Sequence, residues 1–364
     1  MKELMLGNKA LARGLYEAGC AVASSYPGTP STEVTEEAAK FKEIYCEWAP
    51  NEKVALEVAF GASLAGKRSF CAMKHVGLNV AADPLFTISY TGVNAGMIIN
   101  VADDAGMHSS QNEQDSRHYA IAAKIPMLEP SDSSEALYFT KKAYEISEKF
   151  DTPVLLKMCT RVSHSQSIVE TGERKELELK PYKKDAAKYV MAPANAKKRH
   201  PFVEERTKKL SEFAETSDLN KVEYASGTGT VGSDGKSLGI ICDSTCYQYA
   251  KEVFGDSVSI LKLGMVWPLS KKLIKDFASK VDRLVVLEEL DPIIETQVKA
   301  MGVKAEGKEI FPITDEFSQG MVASLLGKEF GKDAKSGCEK IEGLPVRPPV
   351  MCAGCPHRGM YYTL

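Results

Sequence analysis

Short apolar runs alternate with helix-patterned stretches along most of this chain, and that alternation admits few folds. Residues 21–25, 69–74, 97–102 and 153–159 each read as a strand. Between them stand a helix running from the YPGTPSTE segment to about Lys40, an Ala-rich helix over 53–65 and a long helix from Ser131 to about Phe150. A run with little polar alternation is buried on both faces, and strands separated by helices are joined by crossovers. Together these features predict βαβ units and a mainly parallel sheet, an α/β fold. The opening MKELMLGNKALARGLYEAG reads as an amphipathic helix rather than a secretion signal, because Glu3, Asn8, Lys9 and Arg13 interrupt its apolar positions.

The 364 residues leave room for two domains at roughly 100–200 residues each. The strand–helix alternation defines 1–165. From 166 to 235 it weakens into the basic KPYKKDAAKYVMAPANAKKRH and the turn-rich SGTGTVGSDGK, a connector with one helix over 202–215. A second, smaller α/β unit of Rossmann type spans 236–335, with strands in LGIIC, at 258–262 and in RLVVLEEL. Residues 336–364 form a linker, IEGLPVRPP, followed by VMCAGCPHRGMYYTL. A Cys/Gly/Pro/His loop running into an apolar helical start usually opens a domain, so a further domain is expected that these residues do not contain. The net charge of −3 carries no basic footprint, which argues against nucleic acid as partner. No apolar run nears the ~18 residues of a membrane span. Nine cysteines, scattered and odd in number, suit a reducing cytoplasm.

Five segments carry chemistry. In YPGTPSTE, Pro27 and Pro30 fix φ, Gly28 permits close backbone approach, and Thr29 and Ser31 offer hydroxyls and N–H groups to an anion; a plain strand-to-helix cap would look the same. In NEKVALEVAFGASLAG, Glu52 and Glu57 point about 140° apart and form no carboxylate pair. Glu52 shares its helix face with Ala55, Leu56 and Ala59, so it is expected to be desolvated, its pKa raised toward acid–base use; the alternative is a carboxylate complementing the helix dipole. In MKHVGLN, His75 and Asn79 flank Gly77 just after a strand, at the edge where α/β proteins bind ligands, although a lone His can equally be structural. ADDAGMHSSQNEQDSRHYA packs Asp103, Asp104, His108, Ser109, Ser110, Gln111, Glu113, Gln114, Asp115 and Arg117 into one loop, more polar groups than a connector needs. It reads as a ligand or interface loop; no nucleophile elbow supports a hydrolytic triad. CAGCPHR offers the thiols of Cys352 and Cys355, half of a zinc site and short of the four ligands of an iron–sulfur cluster, so no metal ligands are assigned. Cys242 and Cys246 read as core residues.

YPGTPSTE, WAPNEKVALEVAFGASLAG, MKHVGLNVAADPL, ADDAGMHSSQNEQDSR, YVMAPANAKKRHP, LKLGMVWPL, VVLEELDP and CAGCPHRG occur in that order over essentially the whole chain. In this the chain resembles the alpha subunits of the indolepyruvate ferredoxin oxidoreductase family, thiamine diphosphate-dependent 2-oxoacid:ferredoxin oxidoreductases. The resemblance implies a pyrimidine-binding domain followed by a smaller transketolase C-terminal-like domain. It implies that Glu52 is the cofactor-activating acid, hydrogen-bonded to N1′ of the aminopyrimidine. Pro27, Gly28, Thr29, His75, Gly77 and Asn79 would flank the cofactor; Thr29, His75, His108, Ser109 and Gln111 would meet the substrate. Cys352, Gly354 and Cys355 match the opening of the diphosphate-binding domain. Mg2+ and two [4Fe-4S] clusters are expected on segments beyond these residues.

The activity implied is oxidative decarboxylation of aryl-pyruvates to aryl-acetyl-coenzyme A with electrons passed to ferredoxin. The implied partners are a beta subunit, a second alpha subunit and ferredoxin, with neither nucleic acid nor membrane. Two alternatives stay open at this point: an interaction chain that kept the folds without the chemistry, and another thiamine-dependent 2-oxoacid oxidoreductase or decarboxylase.

Overall fold

A computed structural model describes residues 1–225, 237–332, 343, 345, 353–355 and 357–364. In chain order its strands are β1 (Lys2–Leu6), β2 (Val22–Ser25), β3 (Tyr45–Trp48), β4 (Ser69–Lys74), β5 (Met97–Asp103), β6 (Met127–Leu128), β7 (Val154–Cys159), β8 (Gln166–Glu170), β9 (Lys221–Glu223), β10 (Leu238–Asp243), β11 (Ser259–Leu263), β12 (Met265–Trp267) and β13 (Arg283–Leu287). The main sheet has the order β12-β6-β7-β5-β4-β2-β3 and is parallel except for β12. A second sheet, β13-β10-β11-β9, is parallel except for β9. Every residue of β4, β5 and β7 is buried, as strands covered on both faces must be.

Alternate side chains of those strands feed two cores. Phe70, Ala72, Ile98 and Leu156 join Leu11, Leu15, Leu137 and Tyr144 from helices Gly7–Glu17 and Ser133–Phe150 on one face. Cys71, Met73, Ile99 and Leu155 face the other way, onto Leu56, Ala59, Leu85 and Ile88. That second core runs on into Ile241, Leu263, Val266, Ile274 and Ile294, so the two α/β units share it. Cys242 and Cys246 lie in the far core of the second unit with Phe254 and Phe311.

Three local expectations need correction. The opening is not wholly helical: residues 2–6 form β1, antiparallel to β8, and the helix starts at Gly7. A Cβ on Gly7 would sit 2.0 Å from the Val162 carbonyl oxygen, so the first turn packs where no side chain fits. β1 owes its state to a partner some 160 residues away, which local periodicity does not reveal. Helix Ser133–Phe150 is capped by Asp132, whose carboxylate accepts from the Glu135 N–H at 2.9 Å, while the Ser131 hydroxyl donates to the Glu135 carboxylate. Within 166–235, the described residues hold β8, β9 and a helix of 24 residues, Pro193–Thr216, which begins well before the expected 202. Pro193 stands in its first turn, where a missing N–H costs nothing, and the helix runs on through Pro201, the interior proline that made the sequence read as starting later.

The carboxyl ends of the two sheets meet around Arg117, which is 1% exposed. Its guanidinium donates to Asp115 (2.6 Å), Asp243 (3.1 Å) and Glu288 (2.6 Å), and to the carbonyls of Glu289 and Asp291. Beside it Lys157 pairs with Glu129 at 2.5 Å and lies 3.8 Å from Asp103. Glu288 also accepts the N–H groups of Ile294 and Glu295, so an internal carboxylate fills the anion position at the start of helix Ile293–Ala300. Burial, set against Lys157 and with Asp115 nearby, pushes Asp103 up to about 6, whereas Arg117 outweighs burial and holds Asp115 below its ordinary value.

Arg117→Met leaves three carboxylates facing one another without their cation. A loss of about 3–5 kcal/mol is expected, read from the midpoint of chemical denaturation. Arg117→Lys should lose less, and a midpoint equal to that of the unaltered chain would contradict this account.

Candidate functional site

The segments that follow β2, β3, β4, β5 and β7 gather along the carboxyl edge of the main sheet. Glu52 opens helix Glu52–Leu64, whose N-cap is Asn51, its side chain accepting from the Val54 N–H at 3.0 Å. Ala55, Leu56 and Ala59 are buried on the helix face turned to the sheet, and Glu57 is exposed. Glu52 itself is half-buried, and among the described residues its carboxylate has no hydrogen-bond or ion-pair partner. It lies directly on Gly77, where an added Cβ would come within 2.5 Å of Oε1 and 2.6 Å of Cγ. The glycine in MKHVGLN is therefore the space the Glu52 side chain occupies.

His75 is fully buried and does not reach the surface. Its Nε2 stands 3.2 Å from the Asn112 carbonyl, and among the described residues Nδ1 has no partner. The carbonyl accepts only from a protonated Nε2, so the ring holds the 104–116 loop as a donor. Asn79 is exposed and accepts from the Tyr119 hydroxyl at 2.5 Å.

In the 26–31 loop, Pro27 and Thr29 are exposed and Gly28 rests on β4, with an ideal Cβ 3.0 Å from Cβ of Lys74. The Ser31 hydroxyl does not face outward as the anion reading expected. It is buried and donates to the Gly28 carbonyl at 2.8 Å, while Thr32 Oγ1 accepts from the Gly28 N–H at 2.8 Å. These bonds close the loop on itself and leave Thr29 as its outward hydroxyl.

Asp104 organises the polar loop after β5. Its carboxylate accepts from the Ser109 N–H (2.9 Å), the Ser110 hydroxyl (2.5 Å) and the Thr160 hydroxyl (2.7 Å). Burial raises its pKa, but these bonds and nearby Lys74 outweigh it and hold the carboxyl below the ordinary value. His108, Ser109 and Gln111 project from the loop, exposed, while Asp103, Asp115 and Arg117 turn inward to the charge network. His108 lies 3.3 Å from Glu316, which also pairs with Arg161. Thr160, Arg161 and Glu316 were not singled out in the sequence; they sit in unremarkable stretches far from the loop they support.

Lys74 was also passed over, although a lysine ending an apolar strand just before His75 was the available signal. It is 8% exposed, and its Nζ donates to the Ser109 carbonyl at 2.7 Å. Of the C-x-x-C segment, Cys352 lies outside the described residues. Gly354 (φ +85°) and Cys355 form a separate turn, with Cys355 Sγ 3.5 Å from His357 Nδ1; their described hydrogen bonds do not reach Glu52. Among the described residues no group of three or more His, Cys, Asp or Glu side chains is placed to hold a metal ion, and no helix is long and apolar enough to cross a membrane.

Comparison with known proteins bears on this edge directly. The model of the thiamine diphosphate-binding pyruvate flavodoxin/ferredoxin oxidoreductase domain matches residues 13–226, which include every one of these loops. The chain belongs to this family. The indolepyruvate oxidoreductase domain matches residues 250–343. Among relatives, indolepyruvate oxidoreductase subunit IorA of Methanothermobacter marburgensis is 43% identical over 99% of this chain, and that of Archaeoglobus fulgidus is 39% identical over all of it. The chain spans 60% of the length of each. Among solved structures, the 2-oxoglutarate:ferredoxin oxidoreductase of Magnetococcus marinus aligns with a TM-score of 0.74 at 18% identity, over 90% of this chain and 65% of that one. A split-gene transketolase aligns at 0.54 and 15%, over 90% of this chain and 99% of that one. The thiamine-enzyme α/β fold of this oxidoreductase family is thereby shown.

Asp104→Asn removes the charge that gathers Ser109, Ser110 and Thr160. Amide exchange over 106–112 should quicken roughly tenfold, and unchanged protection would refute the role. Because the Asp104 pKa is depressed, its contribution is complete above the ordinary carboxylate value and is lost as pH falls through the depressed one, so the loop should loosen only in acid.

Proposed function

We propose that this chain forms the pyrimidine-binding part of an indolepyruvate:ferredoxin oxidoreductase. The observation that carries the reading is Glu52: a half-buried carboxylate without a partner among the described residues, seated on a glycine at the carboxyl edge of a parallel sheet, in a chain of the thiamine diphosphate-binding family. A cofactor-activating acid must offer an oxygen to its ligand, and a carboxylate with no hydrogen-bond or ion-pair partner among the described residues leaves both oxygens for that. The division follows the sequence: 1–165 as the pyrimidine-binding unit, 166–235 as connector, 236–335 as the transketolase C-terminal-like unit, and 336–364 as linker and opening of a diphosphate-binding unit.

Thiamine diphosphate, when bound, supplies a carbon nucleophile that attacks the 2-oxo carbon and accepts the electron pair left by departing carbon dioxide. Glu52 would hold a proton between its Oε and N1′ of the pyrimidine. Gly77 leaves the carboxylate its room. Pro27, Gly28 and Asn79, the last held by the Tyr119 hydroxyl, would flank the cofactor, and the exposed Thr29 hydroxyl would meet the substrate. His108, Ser109 and Gln111 would meet the substrate from the exposed side of the loop, and buried His75 holds that loop through the Asn112 carbonyl. Cys352, Gly354 and Cys355 would belong to the diphosphate side.

The overall reaction we assign is an aryl-pyruvate plus coenzyme A and two oxidised ferredoxins giving aryl-acetyl-coenzyme A, carbon dioxide, a proton and two reduced ferredoxins. Its Mg2+ and [4Fe-4S] clusters would be held outside the described residues. The relatives are named as subunits, which supports a partner subunit for this chain; a beta subunit, a second alpha subunit and ferredoxin are the partners proposed. The seven described cysteines are free thiols, which suits the cytoplasm.

Glu52→Gln should leave the fold intact and lower 2-oxoacid-dependent dye reduction by the assembled enzyme roughly 10²- to 10⁴-fold. Normal reduction by that variant would sink the assignment.

A further inference from the structure

Among the described residues three lysines are buried: Lys74, Lys157 and Lys262, at 8%, 4% and 1% exposure. Lys157 pairs with Glu129 and Lys262 with Glu135. Lys74 differs: among the described residues no carboxylate lies within 4 Å of its Nζ, whose hydrogen bond goes to the Ser109 carbonyl. An ammonium has three donors, and one is used. Its nearest acidic influence, Asp104, already accepts three bonds from Ser109, Ser110 and Thr160. Burial accordingly lowers the Lys74 pKa, with Asp104 only partly offsetting it. A buried cation without a matched anion is costly, and it persists where a ligand supplies the missing charge.

Position says which ligand. The Lys74 side chain runs beneath Gly28, with Cβ and Cδ 3.0 and 3.9 Å from where a Gly28 Cβ would stand, and ends at the Ser109 carbonyl. It therefore links the loop of Thr29 to the loop of Ser109 and Gln111, one residue before His75 and three before the glycine under Glu52. This is the substrate wall of the proposed site, on the pyrimidine side. We propose that Lys74 recognises the carboxylate of the 2-oxoacid, a specificity-determining contact formed by the two donors that Ser109 leaves free. The proposal rests on the functional reading above. An anion at Lys74 could instead come from a diphosphate, and the test separates the two sources.

Lys74→Met and Lys74→Arg are compared in the assembled oxidoreductase, with phenylpyruvate and indolepyruvate as substrates and phenylpyruvamide, the uncharged analogue, as competitive inhibitor. For Lys74→Met, KM for both acids should rise roughly 10- to 100-fold. The inhibition constant of the amide and the calorimetric Kd of thiamine diphosphate should stay within about twofold of the unaltered enzyme, since neither ligand offers the carboxylate. Lys74→Arg should keep most of the preference for acid over amide. Lys74→Gln retains a donor to Ser109 without the charge, and serves in place of Lys74→Met where that variant does not fold. Equal weakening of acid and amide would assign Lys74 a purely structural role. A weakened thiamine diphosphate Kd with unchanged KM would make the anion a diphosphate. Either result, or an unmoved KM, overturns the proposal. If the unaltered enzyme turns over no 2-oxoacid, the functional reading fails and this proposal with it; turnover with an indifferent Lys74→Met overturns Lys74 alone.

Discussion

A guanidinium almost sealed from water holds the carboxyl edges of two sheets together. Arg117 spends its donors on Asp115 from the first unit and on Asp243 and Glu288 from the second, with two carbonyls completing its shell. Its desolvation is met only by this full set of partners, so the arrangement tolerates neither unit moving away. Two consequences follow. The ligand position at the edge of the second sheet is filled from within by Glu288. The corresponding edge of the first sheet stays open along the segments that carry Glu52, Thr29 and the 104–116 loop, and a site can form there.

The open edge is built by subtraction as much as by contact. Glycine at 77 lets the Glu52 carboxylate lie against the helix backbone, and glycine at 28 lets a loop close over Lys74. Asp104 and buried His75 pull the polar loop inward by its backbone, so that His108, Ser109 and Gln111 are left outside. Support and presentation thus fall to different residues of one short segment. Asp103, Asp115 and Arg117 brace the junction between units, His108 leans on Glu316, and the Ser109 and Gln111 side chains, without a bond among the described residues, are left to meet a ligand.

Much of this was legible in the sequence, for identifiable reasons. β4 and β5 and the helix Glu52–Leu64 were readable within a residue at each end, because burial on both faces and helical periodicity are written locally. Gly77 and the 104–116 loop stood out by residue type after predicted strands, and Glu52 by its place at the start of a predicted helix. β1 did not, since its partner β8 lies at the other end of the first unit. Nor did β12, which the second unit lends to the edge of the main sheet through pairing with β6. The Ser31 hydroxyl was expected to face an anion because residue type does not say whether a hydroxyl before a helix points outward or, as here, to the Gly28 carbonyl behind it.

By itself the sequence determined the α/β class, the order of the elements and which residue types stand at the carboxyl ends of the strands, because these depend on short-range periodicity and turn chemistry. Only the tertiary structure decided which of those polar residues are spent on the protein and which remain open. That division depends on neighbours brought from 126 and 171 positions away, as between Arg117 and its partners Asp243 and Glu288, and on the depth at which each charge is left without water. A chain can announce a lysine beside a histidine. Whether that lysine has an anion to meet is settled by packing, since desolvation and pairing are properties of the assembled edge and of no single segment.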